Sequence, residues 1–494
     1  MSLQLIWTAV AVYLVAGLAI AWLSRSAATN GSGVDMSGYF LGNRRMNGFV
    51  SALSYSATTY SAFMMVGLAG LTYAGGVGAF GFEIVYFAGV SLVAIFGPRF
   101  WAVGKRFGYV TPSEMLGHRY ADRRVAVVTA VASCLFLIPY AAVQLAGVGY
   151  LLAGISGGAI PFTTGVVVAT LLAILFSYIA GIRSVMWTDS LQALFMIVAS
   201  TLVALLVVHS LGGFGALFDT LAAEHPAALT VPGPGPGPGL FSLTTFLGLT
   251  IPWFFFSLSN PQVSQRLFMP ASLKSMRQML IGFLVFGFIY TLVSVLWGFS
   301  ALVAFPELSQ SDLATPTLLA SSHVPPLLGV VVMVGILAAA VSTIDSIMLT
   351  LSSMLSRDVY ANLAEGASEA RQLRVGKWVL PLIAVLAFLF AELQLSLIAV
   401  LSVAASTGLV VIVPAIIGAF YWRRGTAAGA LVSILVGGLA VIALYLSGAK
   451  PLGLPPGIWA LPLASALFVG GSLLGRAPSE RADAFLAAAK GSRS

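Results

Sequence analysis

Residues Val324–Met354 read VPPLLGVVVMVGILAAAVSTIDSIMLTLSSM. About 20 apolar residues at a rise of about 1.5 Å cross the ~30 Å hydrocarbon core of a bilayer, so the stretch is a membrane span. Yet Ser342, Thr343, Asp345 and Ser346 lie inside it. A carboxylate at the bilayer centre costs roughly 2.5–3.5 kcal/mol, which marks Asp345 as functional by default. At about 100° per residue, Ala339, Ser342, Thr343 and Ser346 share one helix face and Asp345 borders it. The small residues 338–340 let a neighbouring backbone approach closely. Two adjacent hydroxyls, the Ala339 carbonyl and carbonyls of a broken facing helix make the oxygen set that a hard monovalent cation takes. The alternative is that each hydroxyl bonds back to the carbonyl one turn earlier.

Composition extends the reading to the whole chain. Of 494 residues, 59% are hydrophobic and only 8% charged, against roughly 25% charged in soluble domains. Mean hydropathy is +0.99. This is an all-α membrane protein, and about thirteen apolar spans can be marked. They cover residues 5–23, 49–72, 78–98, 126–153, 162–181, 189–210, 241–260, 278–304, 326–354, 377–394, 398–421, 427–447 and 457–475. The first lacks a basic leader and a small-residue cleavage motif, so it reads as a retained span. A single cysteine, Cys134, excludes a disulfide framework or a cysteine metal site.

The net charge of +8 is a topology signal and implies no nucleic-acid partner. With thirteen spans, every Lys and Arg except Lys450 falls on one side of the membrane. The positive-inside rule makes that side cytoplasmic. The protein is then multi-pass in the plasma (inner) membrane, with its N-terminus outside and its C-terminus inside. The outer loop 211–240 contains VPGPGPGPG and reads as an extended spacer. The cytoplasmic loop near 355–376 and the tail after Arg476, a short amphipathic helix, read as solvated connectors. No obligate protein partner is evident.

Two spans are interrupted. The second, FVSALSYSATTYSAFMMVGLAGLTY, has a polar centre, and the seventh, FLGLTIPWFFFSLSNPQVSQRLF, carries Pro252 and Asn260-Pro261. Backbone groups freed by such breaks are tolerated only where protein or a wet cavity satisfies them. Broken helices of this kind line the binding sites of secondary transporters. Four acidic residues fall in or at the edges of spans: Glu83, Asp189, Asp345 and Glu392. Glu392 reads as solvated at an outer span end. Asp189 serves equally as a charge at a helix start or as a site residue. No Lys or Arg reads as deep in a span. Scattered histidines and the lack of GxSxG and HExxH motifs argue against an enzyme.

These residues resemble the sodium/solute symporters, carriers of proline, pantothenate, monocarboxylates, sialic acid and sugars. The likeness rests on YFLGNRRMNG, SALSYSATTYSAF, GIRSVMWTDSLQ, NPQVSQRLF and, most specifically, AAAVSTIDS followed by SSMLSRDVY. It implies inverted five-helix repeats of the leucine-transporter type, at 49–210 and 241–421. Residues 1–48 would precede them as first helix and cytoplasmic loop, and 211–240 would form the outer loop between them. Two extra helices at 422–475 and a cytoplasmic tail at 476–494 would follow. It also implies a sodium ion held by the carbonyls of Ala57, Tyr60 and Ala339 and the hydroxyls of Ser342 and Thr343. A second cation is expected among Asp189, Ser342, Asp345 and Ser346, with aspartate at 345 where relatives often have serine. The expected solute ligands are Thr59, Glu83, Tyr140, Gln144, Trp253 and Asn260. Thr59 and Phe63 replace an aspartate and a tryptophan of the proline carriers. The expected function is sodium-coupled symport of a small organic solute bearing a carboxylate, such as pantothenate, a monocarboxylate or an amino acid. The alternatives are a sodium-coupled sugar symporter and a sodium-independent facilitator or channel.

Overall fold

The structure, a computed structural model, describes residues 1–28, 36–235, 237–364, 366–394, 398–475 and 479–490. The expected cytoplasmic charges Arg25, Arg183, Arg476 and Arg493 lie outside the described residues and side chains. Among the described residues the secondary structure is helical throughout, with one isolated bridge between Met46 and Pro270. Nine helices there are long and apolar enough to cross a membrane.

In chain order, the chain forms α1 (Leu3–Ala28), α2 (Gly48–Thr59), α3 (Phe63–Gly75), α4 (Gly78–Phe107), α5 (Pro112–Arg119) and α6 (Arg123–Ile155). There follow α7 (Phe162–Ser210), α8 (Gly213–Glu224), α9 (Leu243–Phe254), α10 (Leu273–Ala304) and α11 (Pro326–Met354). The last are α12 (Glu369–Ala391), α13 (Leu401–Tyr421), α14 (Ala427–Ser447), α15 (Pro456–Leu473) and α16 (Ser479–Lys490). The fifth and sixth expected spans belong to one helix, α7, whose 49 residues would measure about 74 Å if straight. That exceeds twice the hydrocarbon thickness.

Helix starts follow side-chain caps that accept orphan N–H groups. Asn47 caps α2, Thr111 α5, Asp122 α6, Ser272 α10 and Thr426 α14. Both interrupted spans are broken in the structure. α2 stops at Thr59, and α3 opens with a π-helical stretch, Phe63–Leu68. α9 stops at Phe254. Two short turns follow, Phe256–Ser259 and Pro261–Ser264, hinged at Asn260 in an extended conformation.

Packing sorts the helices. α11 and α13 have 78% and 89% of their most apolar windows buried, against 28% for α12 and α15. α12 therefore turns Trp378, Leu382, Val385 and Leu389 outward as a lipid-facing stripe. α11 is surrounded by protein, so its polar residues meet other helices. Close approach of α4 to the second break needs Gly89, where a Cβ would stand 2.0 Å from the Phe254 carbonyl oxygen.

Two expected connectors differ. The Pro/Gly spacer does not run extended: Leu240 and Phe241 N–H groups donate to the Pro234 and Pro232 carbonyls at 2.8 Å. Positive φ at Gly233, Gly235, Gly237 and Gly239 alternates with proline's fixed φ near −65°, which coils the segment. The start of the expected cytoplasmic loop is a π-helical stretch, Leu355–Tyr360, that buries Ser356 and Asp358.

Candidate functional site

The site lies where the breaks of α2–α3 and α9 meet α11. α2 ends because Tyr60 leaves helical geometry (φ −94°, ψ 80°). The Thr343 hydroxyl of α11 reaches across and donates to the Ala57 carbonyl at 3.2 Å. Thr343 is fully buried, and Ala57, Tyr60, Ala339 and Ser342 are buried around it. The Tyr60 ring stacks on Phe283 (5.0 Å between centroids). It lies so close to Gly287 that a Cβ there would be 2.0 Å from the Tyr60 hydroxyl. α10 thus fixes the residue at the break.

Next to this pair the structure holds a buried charge network that the sequence reading did not foresee. Arg266, expected as a loop charge, is only 3% exposed. Its guanidinium donates to Ser54 and Ser346 Oγ, each at 2.6 Å, and pairs with Asp189 at 3.4 Å. Asp189 also accepts from Ser54 at 3.1 Å and from the Ser342 hydroxyl. Ser346 lies 3.3 Å from the Thr58 hydroxyl. Asp189 is therefore a member of the site and not merely a charge at a helix start. The four residues expected to share a second cation do not share one cluster of contacts. Asp189 and Ser346 contact Arg266 and Ser342 donates to Asp189, whereas Asp345 accepts from Ser177 of α7 at 2.7 Å.

The expected solute ligands fall into two groups. Glu83, fully buried on α4, accepts from the Trp253 indole N–H at 3.2 Å. Trp253 packs against Phe63, Phe82 and Phe256, with centroids 5.1, 5.3 and 4.8 Å away. Tyr140 of α6 touches Phe256 at 5.5 Å, and Gln144 lies one turn further along α6. Thr59 and Asn260 instead sit at the two breaks. The Thr59 hydroxyl turns back to the Tyr55 carbonyl, and Asn260 Oδ1 accepts from the Gln262 N–H. Several buried polar atoms here have no hydrogen-bond partner: Glu83 Oε1, both amide atoms of Gln144, and Asn260 Nδ2. Each such atom left unanswered costs about 1–3 kcal/mol. Glu392 lies apart, half-buried, accepting from Thr163 at 2.7 Å.

Below the site, Asp358 accepts from the Thr111 and Ser113 hydroxyls at 2.7 and 2.5 Å. Arg357 pairs with Glu114 at 3.0 Å. Gln265 donates to the Val110 carbonyl at 2.8 Å and to the Ser353 hydroxyl at 3.1 Å. These bonds join the start of α5, the end of α11 and the strand of chain after the second break.

Known proteins match this chain in sequence and in fold. The model of the sodium:solute symporter family matches residues 39–437. The chain is 28% identical over 450 residues to the sodium/pantothenate symporter of Escherichia coli, covering 90% of this chain and 92% of that one. It is 27% identical over 417 residues to the sodium/pantothenate symporter of Haemophilus influenzae, covering 83% and 85%. Its fold is similar to that of a Na+-coupled sialic acid symporter solved in a substrate-bound outward-open state. There the TM-score is 0.80 at 20% identity, over 96% of this chain and 99% of that one. A nucleobase-cation-symport-1 family transporter in a closed conformation matches with a TM-score of 0.58 at 15% identity, over 93% and 100%. The fold is all-helical, of the leucine-transporter type. With these matches and its apolar helices, the chain is an integral membrane transporter and not an enzyme, and it belongs to the sodium:solute symporter family.

Proposed function

We propose that the protein imports a small organic solute bearing a carboxylate by alternating access, driven by one sodium ion. The ion would be bound by the Ser342 and Thr343 hydroxyls and the Ala57, Tyr60 and Ala339 carbonyls. The observation that carries this is the contact of the Thr343 hydroxyl with the Ala57 carbonyl, 3.2 Å apart at the break. It brings together two of the five expected oxygen ligands from two helices, which would belong to the two proposed repeats, 49–210 and 241–421. Sodium there links the repeats, and its occupancy sets the shape of the cavity beside α9. The flanking segments 1–48, 211–240, 422–475 and 476–494 scaffold this core. The Lys and Arg bias supports an N-terminus outside and a C-terminus in the cytoplasm.

Arg266 takes the place of a second cation. Its charge already answers Asp189, and two of the hydroxyls nearby are committed to it. One sodium crossing about 100 mV supplies roughly 2.3 kcal/mol, and a tenfold gradient adds about 1.4 kcal/mol. A net-neutral solute such as an amino-acid zwitterion gains both and accumulates about several hundred-fold. A carboxylate monoanion crosses with one sodium electroneutrally, gains only the gradient and accumulates about tenfold.

The solute would bring donors for Glu83 Oε1 and Gln144 Oε1 and acceptors for Gln144 Nε2 and Asn260 Nδ2. Its apolar body would lie against Trp253 and Phe256. A carboxylate would be held by amide donors and by N–H groups freed at the breaks. A hydroxylated or amide-bearing carboxylate answers all of these demands. The pantothenate symporters among the relatives support that class. The test is radiolabelled uptake into proteoliposomes of pantothenate, lactate, pyruvate, amino acids and galactose, with and without sodium. Sodium-dependent uptake of a carboxylate is expected. Uptake of galactose alone would replace the solute class. Uptake of any of these at equal rate without sodium would refute the coupling.

A further inference from the structure

Trp101 and Lys105 stand one turn apart near the cytoplasmic end of α4, before Gly108 ends the helix with positive φ. The Trp101 indole N–H donates to the Pro270 carbonyl at 2.8 Å, which fixes the ring. The Lys105 ammonium lies over that ring, 4.8 Å from its centroid. Arg106 is exposed beside it. Neither cation enters an ion pair among the described residues.

The tail helix α16 lies alongside, docked and not solvated. Ala482, Phe485 and Ala489 are buried. Phe485 packs against Phe420 at 5.2 Å and Phe107 at 6.3 Å. Asp483 pairs with Arg423 at 2.7 Å. This leaves Ala484, Ala487 and Ala488 on a neighbouring face. Between them and Trp101, Lys105, Arg106 and Phe107 runs a groove of about 640 Å³, with no carboxylate in its lining.

The groove has the chemistry of an amphiphile site. Its floor is aromatic and alanine carbon, and its two cations have no counter-charge among the described residues. A tryptophan at this level is an interfacial anchor, and basic pockets between helices on the cytoplasmic side suit anionic headgroups. A soluble anion would use the cations and leave the alanine face uncovered. We propose that the groove binds an anionic phospholipid. Lys105 and Arg106 hold its phosphate, and an acyl chain lies between Trp101 and the alanine face of α16, fastening the tail helix. The assignment to the inner leaflet, and with it the match to cytoplasmic basic pockets, rests on the proposed orientation.

The test uses the full-length carrier, delipidated in detergent, with native mass spectrometry and thermal melting as readouts. The probes are dioctanoyl phosphatidylglycerol, dioctanoyl phosphatidylcholine and glycerol phosphate. Phosphatidylglycerol should bind at least about tenfold more tightly than phosphatidylcholine and raise the melting midpoint, and glycerol phosphate should do neither. The double variant K105Q/R106Q should lose that preference. Ala487→Trp fills the groove with both charges intact and should abolish phosphatidylglycerol binding by itself, so a poorly folding double variant does not spare the claim. Equal binding of the two lipids, or full binding by Ala487→Trp, would overturn the proposal. An effect of glycerol phosphate equal to that of phosphatidylglycerol would make this a soluble-anion site and overturn it too.

Discussion

Arg266 and Asp189 form an ion pair in which both side chains are almost wholly withdrawn from solvent. Removing one member of such a pair strands the other charge and costs about 3–5 kcal/mol. Arg266→Ala or Asp189→Ala should therefore lower the melting midpoint sharply. The double variant R266Q/D189N, which removes both charges, should lose much less. With the guanidinium serving Asp189, sodium activation of uptake should follow a Hill coefficient near 1; a value near 2 would show that a second ion enters. Ser342 and Thr343 were legible in the sequence because hydroxyls beside an aspartate stand out in an apolar span. Arg266 was not: it lies in a short polar stretch after two prolines, and local sequence gives no sign that a distant aspartate draws it inside. Asp345 was legible as buried, but its partner Ser177 lies 168 residues away in the chain.

At the scale of elements, the breaks in α2–α3 and after α9 followed from proline, asparagine and hydroxyl content. What the sequence could not carry is how tightly other helices hold those breaks. Gly89→Ala would push against the Phe254 backbone carbonyl, which cannot swing aside as a side chain can. Overpacking of this kind costs about 1–3 kcal/mol, and uptake should fall while Gly81→Ala, with only ordinary contacts, is tolerated. The bonds from Thr111 and Ser113 to Asp358 tie α5 to the end of α11. Asp358→Asn weakens the acceptor that holds both hydroxyls and should make cysteines introduced at the start of α5 more reactive to a thiol reagent added from that side. Unchanged reactivity would show that Asp358 does not hold the start of α5 in place. Its loop had the composition of a solvated connector, because one buried aspartate among many polar residues leaves no periodic signal.

For the whole molecule, apolar runs announced the membrane helices, and the one-sided distribution of Lys and Arg supports the proposed topology. The docked tail was missed because a twelve-residue helix with a short apolar face reads the same whether it is solvated or packed. The Arg423–Asp483 pair is largely exposed, with 64% and 52% of the side-chain surfaces accessible, so salt screens it. Arg423 holds the Asp483 carboxyl below its ordinary range. The pair therefore stays formed above about pH 4 and fails only as the pH falls through that lowered value. Docking rests instead on Phe485. Phe485→Ala should expose the tail to protease added from the cytoplasmic side, whereas Asp483→Asn should leave it protected between pH 5 and 9.

The central claim is that sodium held between Thr343 and the α2 break drives transport. The direct measurement is initial uptake of the carried solute into proteoliposomes as external sodium is varied, for the native protein and for Thr343→Ala. Loss of one ligand to a charged group, worth about 1.5–3 kcal/mol, should raise the half-activating sodium concentration by about tenfold or more. The hyperbolic dependence should be retained. Uptake that needs no sodium in the native protein, or an unshifted sodium curve in Thr343→Ala, would contradict the account.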